Sequence, residues 1–287
     1  MGVVGVGVVL ARRPVPLAIG MAVALVGITV AGPTHLYRDR TFYGSYSVTE
    51  DDGARLFSHG TTVHGSQRPG ADSRESTTYY ARSGPVGDVF REYPDLPQVG
   101  VVGLGIGTLA AYGTPGQEFT FYELDPEVVR VATHTGLFTY LAASDARIQT
   151  VVDDGRLRLA ERQSGTYDLL MLDAFSSDSI PVHLLTQEAF DLYADVLAPD
   201  GLLLVHVSNR VFDLEPVVAA AGDHLGWAVA VGLGAGDQRG ATASEWIAVA
   251  ASSSRLDPLR ALENWRAPSP DRQVWTDDYS SVLRVLR

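Results

Sequence analysis

From Gln98 to about Val249 the chain alternates between short apolar stretches and segments of helical character, and this alternation constrains the fold more than any other feature. The apolar stretches are QVGVVGLG, EFTFYEL, RIQTVV, YDLLMLD and GLLLVHVS, with helical patterns between them at Pro126–Thr135 and near Gln187–Leu197. Strands separated by helices of roughly ten residues predict a parallel sheet covered on both faces, an α/β fold. Upstream the pattern changes. From Tyr43 to Gly65 short strand-like pieces are broken by turns, with a hairpin expected at Asp51-Asp52-Gly53. Ser66–Thr77 (SQRPGADSREST) is polar and reads as a loop. The expected organisation is a small β-rich subdomain over residues 41–95, then a nucleotide-binding domain over 96–287.

The N-terminus imposes a different requirement. Val15–Gly32 (VPLAIGMAVALVGITVAG) is an uncharged run of 18 residues, preceded by Arg12 and Arg13 and followed by Pro33. That length just crosses a bilayer core, so residues 1–33 are expected to form a hydrophobic membrane segment with a transmembrane helix. A cleaved signal peptide and a buried element are the competing readings. The flanking arginines do not settle the orientation, because Arg38 and Arg40 follow the run.

Three strand ends carry the candidate ligand chemistry. Gly103, Gly105 and Gly107 lie directly after the first strand, where glycine lets backbone approach a ligand closely. Glu123 ends the second strand, 20 residues after Gly103, in the place where nucleotide-binding α/β folds set an acid against the ribose diol. Asp153-Asp154-Gly155 follows the third, and Asp154 is a candidate acceptor for an adenine amino group. Asp125, and equally the Asp153–Asp154 pair, also suit a helix N-cap. Together the motifs predict a Rossmann-like class I fold for S-adenosylmethionine or its decarboxylated form. NAD fits less well, since the segment after Gly107 (TLAAYGTPG) is too short and glycine-broken for a long Rossmann helix.

Composition removes several chemistries. The formal charge of −12 is the wrong sign for nucleic acid and suits a cationic substrate. The absence of cysteine excludes thiolate catalysis and Cys-ligated metals. All 22 basic residues are arginine, which excludes a Schiff-base or phosphate-loop lysine. His59, His64 and His183 lie in separate segments without metal-ligand spacing, so no metal site is expected.

The fourth strand ends in Asp173, in YDLLMLDAFSSDSIPVHLLT, and is followed by LAPDGLLLVHVSN; with the earlier HGTTVHGSQ and the terminal WTDDYSSVLR, the chain resembles the spermidine synthase family of polyamine aminopropyltransferases, in its bacterial membrane-fused branch. The resemblance implies a class I S-adenosylmethionine-dependent methyltransferase fold and transfer of an aminopropyl group from decarboxylated S-adenosylmethionine to putrescine or another amine. The donor would be a cosubstrate, with no permanently bound cofactor. The resemblance further implies Asp173 as base and amine anchor, Asp178 as a second acid of that loop, and Gln67 and Tyr79 as N-terminal contributors to the site. Glu123 and Asp154 would take the ribose and adenine. The family's glycine turn usually includes an aspartate that helps hold the donor's amine end; Ile106 stands in its place. A homodimer and a membrane-anchored protein with a cytoplasmic catalytic domain complete the expectation. The rival functions are a methyltransferase using intact S-adenosylmethionine and a non-catalytic nucleotide-binding domain.

Overall fold

The computed structural model describes residues 15, 18–20, 34–70, 72–174, 181–236 and 240–287. The apolar run Val15–Gly32 lies mostly outside them, and among the described residues no helix is long and apolar enough to cross a membrane.

Four antiparallel strands open the described chain: β1 (His35–Arg40), β2 (Ser45–Asp51), β3 (Ala54–His59) and β4 (Thr62–Gln67), paired in sequence order. Asp52 and Gly53 turn the β2–β3 hairpin with φ of 45° and 70°. Positive φ at both central residues is what the twist of a two-residue hairpin demands.

The larger sheet has eight strands. Its parallel part comprises β5 (Gln98–Val102), β6 (Glu118–Glu123), β7 (Arg147–Val152), β8 (Tyr167–Leu172) and β9 (Leu197–His206); β10 (Ala228–Ala235), β11 (Ala243–Ala250) and β12 (Trp265–Arg266) complete it. The order is β12-β10-β11-β9-β8-β5-β6-β7. Chain direction along the sheet therefore switches between β5 and β8, where an open α/β sheet leaves its ligand crevice. An all-parallel sheet does not result: β11 runs antiparallel to β9 and β10, and β12 antiparallel to β10. Only residues 236–242 join β10 to β11, too few for the crossover that a parallel pair requires.

Alternation along these strands fills both faces. In β8, Leu169 and Met171 enter one core while Leu170 and Leu172 enter the other; in β9, Leu202 and Leu204 oppose Leu203 and Val205. Each fully buried side chain of this kind contributes roughly 1.5–3 kcal/mol. Tyr46, Val48 and Phe57 of the small sheet join the first of these cores, so the two sheets share one interior.

The helices that set the site are α1 (Pro85–Glu92), α2 (Pro126–Thr133), α3 (Tyr140–Ala143), α4 (Gly155–Leu159) and α5 (Gln187–Val196). Asp125 caps α2 by accepting the Glu127 N–H at 2.9 Å, and Pro126 occupies the first turn. Asp154 caps α4 through the Leu157 N–H at 3.0 Å. After Gly107 the chain makes only a 3-10 turn, Thr108–Tyr112.

Candidate active site

The carboxyl ends of β5, β6, β7 and β8 meet at one cavity, and the main chain fixes its floor. Gly103 has φ of 101°, and its N–H donates to the Tyr122 carbonyl at 2.8 Å. A Cβ on Gly103 would lie 2.2 Å from the Asp173 carbonyl oxygen, so only glycine lets these two strand ends touch. Gly105 and Gly107 also have positive φ. Gly105 lines the cavity, whereas Gly107 packs against Leu141 and stands outside the lining.

Glu123 closes β6 with both oxygens on backbone donors: Oε2 accepts the Leu104 N–H and Oε1 the Asp125 N–H, each at 3.0 Å. Burial pushes its carboxyl above the ordinary range, and those two amides partly oppose the shift. Asp154 lines the same cavity while capping α4, so the capping and ligand-contact readings are compatible at this residue. His183 Nε2 approaches Asp154 Oδ2 at 3.6 Å. Asp153 instead turns to Arg158.

The opposite wall comes from the small sheet and the segment after it: Tyr43, Tyr46, Phe57, His59, His64 and Tyr79. Tyr46 and Phe57 stack with centroids 5.7 Å apart. The described carboxylates of the lining, Glu123, Asp125, Asp154 and Asp173, all belong to the large-sheet side. The cavity thus presents acids on one side and aromatic rings on the other, an environment suited to a cationic ligand.

Asp173 lines the cavity with a side chain 4% exposed. Its Oδ2 accepts a hydrogen bond from the Tyr80 hydroxyl, and Oδ1 lies 2.7 Å from His206 Nδ1. Tyr79 lines the cavity and donates to the His64 carbonyl at 3.2 Å. Burial, and then the Asp173 charge, hold both tyrosine hydroxyls well above their usual pKa. They remain protonated donors beside the carboxylate.

Of the residues singled out in the sequence, Gly103, Gly105, Glu123, Asp154, Asp173 and Tyr79 converge here. Gln67 does not. Its amide donates to the Ser73 carbonyl at 2.7 Å and to Thr139 Oγ1 at 3.0 Å, and accepts the Thr139 N–H at 2.9 Å. With those groups engaged it ties β4 to the approach of α3. Asp178 lies outside the described residues. Ile106 is 1% exposed and faces Gly65 of β4 rather than the cavity. Sequence reasoning missed Tyr80 and His206. A Tyr79–Tyr80 doublet and a histidine within the apolar strand LLLVHVS were the available signals. Among the described residues, no group of three or more His, Cys, Asp or Glu side chains is arranged to hold a metal ion.

The C-terminal acids also find a place. Asp277 accepts two 2.7 Å bonds from the Arg156 guanidinium and one from Thr186 Oγ1, which holds its carboxyl down to about 2. Arg156 also donates to the His183 carbonyl at 2.7 Å. This clamp joins α4, the segment entering α5 and the C-terminal strand of chain.

No family model matches the chain. It is 26% identical over 141 residues to the polyamine aminopropyltransferase of Vibrio vulnificus, a match covering 47% of this chain and 46% of that protein. It is 39% identical over 88 residues to polyamine aminopropyltransferase 2 of Streptomyces coelicolor, covering 29% and 16%. The matched stretches thus span less than half of either curated relative. A probable spermidine synthase from Corynebacterium glutamicum superposes with a TM-score of 0.64 at 18% identity, over 87% of this chain and 98% of that one. The spermidine synthase of Thermotoga maritima gives 0.55 at 13% identity, over 85% and 81%. A spermidine synthase in complex with the transition-state analogue AdoDATO gives 0.54 at 14% identity, again over 85% and 81%. The solved structures share the fold, and the curated relatives support the spermidine synthase family as the one this chain resembles.

Proposed function

We infer that the chain catalyses aminopropyl transfer from decarboxylated S-adenosylmethionine to putrescine or another amine. The observation that carries this reading is the buried Asp173 carboxylate, held by Tyr80 and His206 at the end of β8, in the cavity that Gly103 and Glu123 also line. In this reading Glu123 exchanges its backbone donors for the ribose hydroxyls and Asp154 accepts from adenine. The sulfonium then lies between the glycine turn and Asp173. The acceptor amine arrives mostly protonated, because alkyl ammonium groups titrate near 10. Asp173 holds that ammonium, removes one proton and leaves a lone pair aimed at the carbon beside sulfur. Tyr79 forms part of the wall against which the amine packs, and Asp178 is assigned the second acid of the loop. The sequence similarity to named polyamine aminopropyltransferases supports the same chemistry.

Ile106 favours one rival, a methyltransferase acting on intact S-adenosylmethionine, since no acid occupies that position to hold the donor's amine end. Calorimetry with both adenosyl compounds and with methylthioadenosine separates the two. Tighter binding of the decarboxylated donor is expected; tighter binding of the parent compound moves the assignment to the methyltransferase, and no binding leaves neither. We assign residues 41–95, together with β1 (His35–Arg40), to a wall-forming subdomain, 96–287 to the catalytic domain, and Val15–Gly32 to a membrane anchor that keeps that domain on the cytoplasmic side. Alkali-resistant sedimentation of the full chain with membranes is the expected result for the anchor, and recovery in the supernatant removes it. A homodimer is the assigned assembly, to be read from light scattering.

A further inference from the structure

We propose that His183 reads the adenine base of the donor together with Asp154, its Nε2–H donating to the purine N7 while the Asp154 carboxylate accepts from the exocyclic amino group; the proposal rests on the adenosyl site of the aminopropyl-transfer reading. Both side chains line the cavity. Asp154 Oδ1 accepts the Leu157 N–H at 3.0 Å, and Oδ2 lies 3.6 Å from His183 Nε2. That gap is longer than a hydrogen bond, so the two groups border the same space without satisfying each other. The nearby carboxylate oxygen favours the ring tautomer with its hydrogen on Nε2. An acceptor beside a donor complements the edge of adenine, where the amino group donates and N7 accepts; a 6-oxopurine presents two acceptors there. The amino nitrogen and N7 are attached to neighbouring ring carbons, whereas the amino nitrogen and N1 share one carbon. The more widely spaced pair suits the 3.6 Å gap better.

One guanidinium sets the spacing of this pair. Arg156 stands two residues after Asp154 on α4 and donates to the His183 carbonyl at 2.7 Å. The same side chain makes two 2.7 Å bonds to Asp277, whose carboxylate also accepts Thr186 Oγ1 at 2.7 Å. His183 lies in a 3-10 turn, Val182–Leu184, closed by the Leu184 N–H on the Pro181 carbonyl at 3.0 Å. Acceptor and donor are therefore tied together before a ligand enters, and little ordering is left for binding to impose. Gly155, Pro181 and Leu184, close to the pair in the chain, line the cavity as well and offer apolar surface to a flat base. The terminal WTDDYSSVLR segment thereby gains a part in recognition: through Arg156, its Asp277 keeps the donor of the pair in register with the acceptor.

The test is calorimetry of the full chain with methylthioadenosine and with its 7-deaza analogue, which keeps the amino group and replaces N7 by C–H. Wild type is expected to bind the analogue about tenfold more weakly, the loss of one hydrogen bond. His183→Phe keeps an aromatic ring and removes both nitrogens. Because that side chain is 49% exposed, its Tm is expected to stay close to wild type. The variant is expected to bind methylthioadenosine about tenfold more weakly than wild type does and to hold the two ligands within about twofold of each other. A wild type that binds both ligands equally overturns the proposal however the variant folds. A variant that discriminates as strongly as wild type overturns it too, since N7 is then read by another group. A wild type that binds neither ligand overturns the adenosyl reading itself, and the base contact falls with it.

Discussion

The two walls of the cavity are built by opposite means. On the large-sheet side each functional group is placed by main chain: Glu123 accepts two backbone amides, Asp154 caps a helix, and Gly103 abuts the carbonyl of Asp173. On the other side the groups are rings from separate segments, held by ring contacts, as Tyr46 stacks on Phe57 and Tyr79 packs at a tilt against His206. A wall fixed by backbone can grip a common ligand fragment in one pose. A wall of side chains adapts its shape to whatever acceptor enters, at the expense of positional precision. In this reading the first wall holds the adenosyl donor and the second encloses the amine.

Asp173 joins the two walls, and its removal has the largest expected effect. Asp173→Asn should lower turnover by about two to four orders of magnitude while product affinity, which belongs to the first wall, stays near wild type. Single-turnover rates paired with methylthioadenosine titration measure this, and joint loss of both would erase the division between the walls. Next comes Ile106→Asp, which supplies the family's missing acid. Because Ile106 is 1% exposed against Gly65, the variant should lose about 3 kcal/mol or more of stability rather than gain donor affinity. A stable variant with tighter decarboxylated donor binding would show that this position can reach the ligand. Glu123→Gln should weaken adenosyl binding by about 1–3 kcal/mol. Since burial raises the Glu123 pKa, wild-type affinity should fall on acidification at a higher pH than an ordinary carboxylate would allow, and the variant should lose that dependence. Isothermal titration across the acid range reads both effects. The smallest change belongs to Asp277. Its depressed pKa of about 2 gives stability that is present above the ordinary 3.8 and lost as pH falls through about 2. The pair is partly exposed, so Asp277→Asn should cost less than about 1 kcal/mol, with the difference from wild type vanishing at the acid end of a denaturation series.

The same contrast explains what was legible in the amino-acid order. Gly103 and Asp173 directly follow a strand, Glu123 ends one and Asp154 lies two residues past another, so local pattern alone points to them. Their convergence follows from the parallel order of β5 to β8. The antiparallel β10–β11 pair escaped the alternation because its short connection was read as one more unit of the same kind. The aromatic wall has no local signature. Tyr80 and His206 meet Asp173 from 93 and 33 residues away, and an apolar strand containing one histidine looks the same whether that ring is ligand, filler or partner of a base. Gln67 illustrates the converse: motif position nominated it, while its hydrogen bonds to Ser73 and Thr139 assign it to the frame.

The missing side chain at Gly103 has a consequence for tolerance. With no room for even a methyl group between that backbone and the Asp173 carbonyl, the separation between the glycine turn and the end of β8 is set by contact of two main chains, not by any rotamer. Thermal wandering of one tip therefore carries the other along, and the error in their spacing stays small while both move. In the aminopropyl-transfer reading, enlarging residue 103 is expected to leave every reacting group chemically intact and still slow turnover by lengthening the distance between the glycine turn and Asp173.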